Sequence, residues 1–143
     1  MTRIDFYILP GQDPAQRSVL ACRLAEKAYA RGLATYIHTA SHHESCLLDD
    51  LLWTFRAGSF LPHCLHADAG NEAPPVVVGH DAEPNNDTDM LINLAATVPA
   101  FFGRFERVAE IVYRDDECLE QARKRYLFYK ERGYELHSHH LDG

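Results

Sequence analysis

The spacing of apolar and polar positions changes along the chain, and each change marks an element. Ile4 to Leu9 is a short apolar run with two aromatics and predicts a buried strand. Pro10-Gly11-Gln12-Asp13 is a turn, with Asp13 suited to cap a helix and Pro14 to open it. That helix should run to about Arg31 and stop at Gly32, burying Ala21, Leu24, Ala25 and Ala28. Ala34 to Thr39 predicts a second strand, so the chain opens as a right-handed strand–helix–strand crossover with parallel strands. Further strands are predicted at Pro75 to Gly79 and Arg107 to Val112, and a short final one at Tyr134 to His137. Met90 to Ala95 reads equally as a strand or a first helical turn. Pro99 to Phe105 is a single helical turn with Phe101, Phe102 and Phe105 inward. Gly58 to Pro75 is a long polar connection, and His80 to Thr88 an acidic loop. The expected fold class is α/β: a single Rossmann-like domain over residues 1–143, with a mostly parallel central sheet flanked by helices.

The stretch Leu47 to His63, LLDDLLWTFRAGSFLPH, holds the single tryptophan, Trp53. Leu47, Leu48, Leu51, Leu52 and Phe55 have the spacing of one buried helical stripe, opposite Asp49, Asp50 and Thr54. The helix should stop near Ala57-Gly58, and Pro62 makes Ser59 to His63 extended. By residue type the stretch reads as core. The alternative is that Trp53 and Phe60 form an apolar patch that docks another protein.

The last helix starts at Asp115-Asp116, which caps it, and ends at Gly133, with Leu119, Ala122, Tyr126 and Tyr129 at helical spacing. Arg123, Lys124, Arg125, Lys130 and Arg132 place five of the 14 basic residues on it. The plainer reading is a solvated face with cations favoured near the helix C-terminus. The alternative is a local basic site with aromatic neighbours that receives an acidic peptide.

Composition bounds the function. The chain has 143 residues, 46% of them hydrophobic and 24% charged, enough for one well-packed domain. A net charge of −7 argues against broad binding to nucleic acid. No apolar run approaches the ~18 residues of a membrane span, and the N-terminus lacks a signal-peptide layout, so a cytoplasmic location without membrane contact is expected. The four cysteines, Cys22, Cys46, Cys64 and Cys118, form no CxxC pair and read as reduced structural thiols.

Catalytic and cofactor chemistry finds little support. A phosphate-binding first loop needs glycines, so that backbone amides can approach the ligand. Leu9-Pro10-Gly11-Gln12-Asp13-Pro14 offers one glycine, two prolines without amide donors and a repelling acid, so no nucleotide-binding loop is expected. His42, His43 and Cys46, and separately His63, Cys64 and His66, are tempting metal groups, but neither shows paired ligand motifs. Asp87 and Asp89 lack the glycine and distal glutamate of a calcium loop. Cys46 with His42 or His43 lacks the context of a nucleophile. The chain is read as non-catalytic and without cofactor. Direct binding of single-stranded nucleic acid and a metal-dependent enzyme built on the His/Cys groups are the other function classes.

LDDLLWTF…SFLPH resembles the chi subunit of the bacterial DNA polymerase III clamp-loader complex. DFYIL at Asp5 to Leu9, CRLAEKAYARG at Cys22 to Gly32, INL at Ile92 to Leu94, EIV at Glu110 to Val112 and ARKRYLFYKERGYEL at Ala122 to Leu136 fit the same family in the same order. The resemblance implies a replication subunit that joins the clamp loader, through the psi subunit, to the acidic C-terminal tail of single-stranded DNA-binding protein, meeting DNA only indirectly. That tail ends in Asp, Pro and Phe with a free carboxylate, and so needs a cation and an apolar pocket. The resemblance places Arg123 on the carboxylate, Val112 and Tyr126 around the ring, and Lys124, Arg125 and Lys130 as electrostatic support. It places Trp53, Phe60 and Pro62 against psi. Leu119 and Leu127 stand where the family can carry lysines, which removes two positive charges.

Overall fold

The computed structural model describes residues 2–58, 60–70, 72–80, 82–84 and 89–141. Ser59, most of the acidic loop before Asp89, and Asp87 with it, lie outside the described residues. The strands are β1 (Arg3–Ile8), β2 (Thr35–Thr39), β3 (His63–Leu65), β4 (Val76–His80), β5 (Met90–Asn93), β6 (Arg107–Val112) and β7 (Glu135–His140). The helices are α1 (Pro14–Ala30), α2 (His42–Thr54) and α3 (Asp116–Glu131), with 3-10 turns at His66–Asp68 and Phe102–Arg104.

All seven strands join one sheet in the order β3-β4-β2-β5-β6-β1-β7, and every pairing is parallel. The opening strands β1 and β2 therefore share a sheet without touching, because β6 and β5 lie between them.

Successive side chains on a strand point to opposite faces, and β6 shows the consequence. Ala109 and Ile111 pack with α1 and α2 residues such as Leu24, Ala25, Leu48 and Leu52. Val108 and Val112 pack with Ala122 and Tyr129 of α3 and with Phe102. The sheet is thus sandwiched, with α1 and α2 on one face and α3 on the other.

The helix starts follow local chemistry. The Asp13 carboxylate accepts from the Ala15 amide at 2.9 Å, with Pro14 in the first turn of α1. The Ser41 hydroxyl accepts from the Glu44 amide at 3.2 Å, while the Glu44 carboxylate accepts from Ala40 at 3.1 Å. This reciprocal cap starts α2 at His42, five residues before the leucine pattern begins. Gly133, at φ 78°, ends α3 in a conformation that glycine adopts at little cost.

Three expectations change. The α2 stripe is narrower than the leucines suggest: Ser45, Leu48 and Leu52 are buried, Leu51 and Phe55 are half-buried, and Leu47 is exposed. The polar connection after Gly58 contains β3, whose three residues pair with Val76 to Val78. The last strand runs on to His140, because it follows β1 along its whole length, from Arg3↔Glu135 to Ile8↔His140. Met90 to Asn93, ambiguous by spacing, is a strand held between β2 and β6.

Candidate functional site

One buried acid fixes how α3 lies on the sheet. Glu110 sits in β6 with no solvent exposure, on the α3 face. Arg125 Nε donates to its Oε1 at 2.9 Å. The Tyr129 hydroxyl and the Asn93 amide donate to its Oε2 at 2.7 and 3.0 Å. Arg125 also donates to the Ala96 carbonyl at 2.9 Å. Burial pushes the Glu110 carboxyl up from its ordinary range, and the Arg125 charge opposes that rise. Burial, with the Glu110 charge added to it, drives the Tyr129 phenol well above its usual value, so it remains a hydrogen-bond donor. Arg125 and Tyr129 are four apart on one helix face, so this pairing sets the roll of α3.

With that roll, Ala122, Arg123 and Tyr126 turn toward the end of the sheet formed by β6, β1 and β7. A cavity of about 200 Å³ opens there, lined by Phe6, Ile8, Val112, Leu119, Ala122, Arg123, Tyr126 and Ser138. Val112 is buried, Tyr126 meets Phe6 edge-on at 5.4 Å, and Arg123 is exposed at the opening. Val112, Arg123 and Tyr126, expected together, therefore share one cavity. Chemically it is an apolar pocket with a cation at its mouth.

The other basic residues diverge. At 3.6 residues per turn, neighbours on a helix point in different directions. Arg125 is 5% exposed and its charge is committed to Glu110, so it is not a surface cation as expected. Lys124 lines a separate depression with Ala96, Val98, Gln121 and Phe128. Arg132 lies over the Phe128 ring at 3.6 Å. Lys130 is exposed in the last turn of α3. The basic cluster in sequence is thus spread around the helix in space.

The second exposed feature lies on α2, on the opposite face of the sheet and toward its β3–β4 end. Trp53 is 55% and Phe60 76% exposed, with rings 6.4 Å apart and inclined at 63°. The core reading of these two aromatics is therefore wrong. The buried member of the loop is Leu61, with Pro62 half-buried. His63 lies against Trp53, ring centroids 4.5 Å apart.

Among the described residues, no three His, Cys, Asp or Glu side chains converge as metal ligands. His42 and Cys46 approach to 3.5 Å as a pair.

Glu110, Asn93, Phe6, Ile8 and Ser138 were not anticipated. Glu110 alone left a signal: an acid inside the apolar run Val108 to Val112, with an arginine and a tyrosine at i, i+4 spacing downstream.

Comparison with known proteins identifies the family. The family described as "DNA polymerase III chi subunit, HolC" matches residues 1–137. Over 141 residues the chain is 45% identical to the DNA polymerase III subunit chi of Pseudomonas aeruginosa, covering 99% of this chain and 98% of that protein. It is 29% identical to the subunit chi of Haemophilus influenzae over 133 residues, 92% of each chain. The identity to the Escherichia coli subunit chi is 28%, over 96% of this chain and 97% of that one. A family match over residues 1–137 and a 45% identical relative covering nearly the whole length have one meaning: the chain belongs to the DNA polymerase III chi subunit family, a replication accessory subunit.

Proposed function

We propose that the chain is a non-catalytic connector in the cytoplasm, joining the polymerase III clamp loader, through psi, to the acidic C-terminal tail of single-stranded DNA-binding protein. The observation that carries this reading is the cavity between α3 and β1, β6 and β7, apolar inside and with Arg123 at its mouth. At about 200 Å³ it exceeds the ~150 Å³ of an engineered cavity that holds benzene. It has room for one phenyl ring, and Arg123 supplies the partner for the carboxylate of a C-terminal phenylalanine. Exposed Trp53 and Phe60, with Pro62 beside them, offer a second surface of a different kind, the aromatic type enriched where proteins dock. The two features occupy opposite faces and opposite ends of the sheet, a separation that supports a connector with two distinct docking surfaces.

The test is fluorescence anisotropy with a synthetic acidic peptide ending in Asp-Pro-Phe with a free carboxylate. Arg123→Ala should weaken binding by about tenfold to a hundredfold, the worth of a charge-assisted hydrogen bond of about 1.5–3 kcal/mol. Amidating the peptide's terminus should do the same to the unaltered protein. Saturating psi should leave the peptide affinity unchanged. Equal binding by Arg123→Ala, or displacement of the peptide by psi, would refute the assignment.

A further inference from the structure

The two edges of the sheet are not alike. β3 ends it on one side with three residues, and a short strand is one way a protein keeps an edge from recruiting another chain. β7 ends it on the other side with six, in unbroken register with β1 from Glu135 to His140. Its sequence, ELHSHH, carries no proline or lysine to guard it, and its register holds no bulge. Backbone groups of successive strand residues point to alternate sides. The Leu141 amide donates to the Ile8 carbonyl at 2.9 Å, so His137 and His139 also turn their backbone groups toward β1. Leu136, Ser138 and His140 then direct their N–H and C=O groups away from β1, where no further strand follows among the described residues.

The cavity opens beside this edge. α3 gives Leu119, Arg123 and Tyr126 to its lining, and β7 gives Ser138. The other flank of α3, with Gln121, Lys124 and Phe128, looks toward Ala96 and Val98, which follow β5. The cavity flank of α3 is thus the one on the β7 side. Lys130 comes four residues after Tyr126 and seven after Arg123, so it stands exposed on the same flank, two turns beyond Arg123. Charge along this flank has a direction. Asp115, Asp116 and Glu117 gather at the start of α3, by the C-terminal end of the strands, and Arg123 and Lys130 follow toward the start of β7. Glu135, the one acid of β7, turns with His137 and His139 to the opposite face of the sheet, where it pairs with His137.

We propose that the acidic tail, with its terminal phenylalanine in the cavity, adds to β7 as an eighth strand of the sheet, parallel to β7. This inference rests on the reading of the cavity as the tail site. Continuity names the occupant: a peptide whose last residue is held beside Ser138 carries its preceding residues either past the acidic start of α3 or along the β7 edge. Like charge turns an acidic peptide away from Asp115, Asp116 and Glu117, and Lys130 draws it along β7. The tail then runs in the same direction as β7, as all the strands of this sheet do. The seven residues from Arg123 to Lys130 span about 10 Å of helix, the reach of about three residues of extended chain. An acid about three residues before the phenylalanine therefore comes opposite Lys130. The outward N–H and C=O groups of Leu136 and Ser138 hold the tail's backbone whatever its side chains, while the cavity and Arg123 read its end.

The test uses the unaltered protein and a set of synthetic acidic peptides ending in Asp-Pro-Phe, each N-methylated at one backbone nitrogen before the proline. Anisotropy should show binding weakened about tenfold at every second position, the worth of one backbone hydrogen bond, with the positions between within about twofold. That two-residue period is the mark of an added strand. Ser138→Pro removes an outward N–H that the β1 ladder does not use. It should weaken the unmethylated peptide about tenfold and leave the weak binding of the dipeptide Pro-Phe, followed by NMR, unchanged. Ser138→Ala, with its backbone intact, should bind both normally. A methylated series that is flat, or that loses equally at every position, overturns the proposal, and so does Ser138→Pro with unaltered affinity for the peptide. If Ser138→Pro does not fold, the methylated series decides. A free protein that dimerises in sedimentation, becomes monomeric with Ser138→Pro and keeps its dimer under saturating peptide gives the edge to a second copy and overturns the proposal. Arg123→Ala separates the two readings. If it binds the unmethylated peptide normally, the cavity is not the tail site, and the added strand falls with it. If it weakens binding while the methylated series is flat, the tail site stands and the strand alone is overturned.

Discussion

Replacing Arg125 with methionine separates what holds α3 from what α3 presents. The substitution keeps most of the apolar stem and removes the cation paired with Glu110. Breaking a buried ion pair by deleting one partner costs about 3–5 kcal/mol, because the remaining charge is left in a poor dielectric. Glu110 keeps two donors, Tyr129 and Asn93, and its carboxyl is already raised by burial, so it can relieve part of the cost by taking up a proton. The lower end, about 3 kcal/mol, is expected, which for a chain of this size lowers Tm by roughly 6–12 °C. The linkage has a definite sign. A carboxyl whose folded pKa lies above its unfolded value contributes most at low pH and loses that contribution as pH rises between the two values. The deficit of Arg125→Met should therefore be smaller near pH 5 than near pH 8, where the bare carboxylate must be ionised or pay for its proton. Urea unfolding followed by far-ultraviolet circular dichroism measures it, since exposed Trp53 is a poor reporter of global unfolding. The triple variant Glu110→Leu, Arg125→Met and Tyr129→Phe should recover most of the loss, as apolar replacement of a whole buried pair often does, because it leaves no bare Tyr129 hydroxyl and Asn93 keeps the Thr97 carbonyl as acceptor. If Arg125→Met is within about 0.5 kcal/mol of the unaltered protein, as surface changes usually are, yet loses the acidic peptide, then Arg125 is a surface cation and the account of α3 is wrong.

Phe60→Ala should cost less than about 1 kcal/mol of stability, since its ring is 76% exposed, while weakening psi binding by calorimetry; Leu52→Ala, truncating a core side chain, should cost about 2–5 kcal/mol. Asp5 is buried, which opposes its ionisation, but hydrogen bonds from His139, Arg107 and Arg3 outweigh that and hold its carboxyl below the ordinary 3.8. Its contribution is therefore present above about pH 3.8 and lost as pH falls through the lower folded value, so Asp5→Asn should flatten the acid limb of the stability profile. Burial pushes the Cys22 thiol up to about 12, so a thiol reagent on the folded protein should label half-exposed Cys46 first and leave Cys22 until urea is added.

Much of the architecture was written locally. Asp13-Pro14 and Ser41 with Glu44 supply helix starts whose donors and acceptors lie within four residues of one another. Gly32 and Gly133 end helices because they take positive φ. Apolar runs such as Pro75 to Gly79 and Arg107 to Val112 identify interior strands, and the strand–helix–strand spacing from Ile4 to Thr39 identifies the fold class. The residues Val112, Arg123 and Tyr126 were also accessible, through resemblance to a family.

The tertiary structure decided what local pattern cannot encode. β3, too short at three residues to show an alternation, and the second half of β7, the polar SHH, are strands only because β4 and β1 offer paired backbones beside them. Trp53 and Phe60 have core composition, yet they sit outside because the buried face of α2 is set by Ser45, Leu48 and Leu52 against the sheet. The basic run of α3 looks like one surface in sequence, but a 3.6-residue turn sends Arg123 to the cavity, Arg125 inward to Glu110 and Lys124 to the far side. Side-chain direction on a helix depends on its roll, and here that roll is fixed by a buried acid on a strand 15 residues away from Arg125 in the chain.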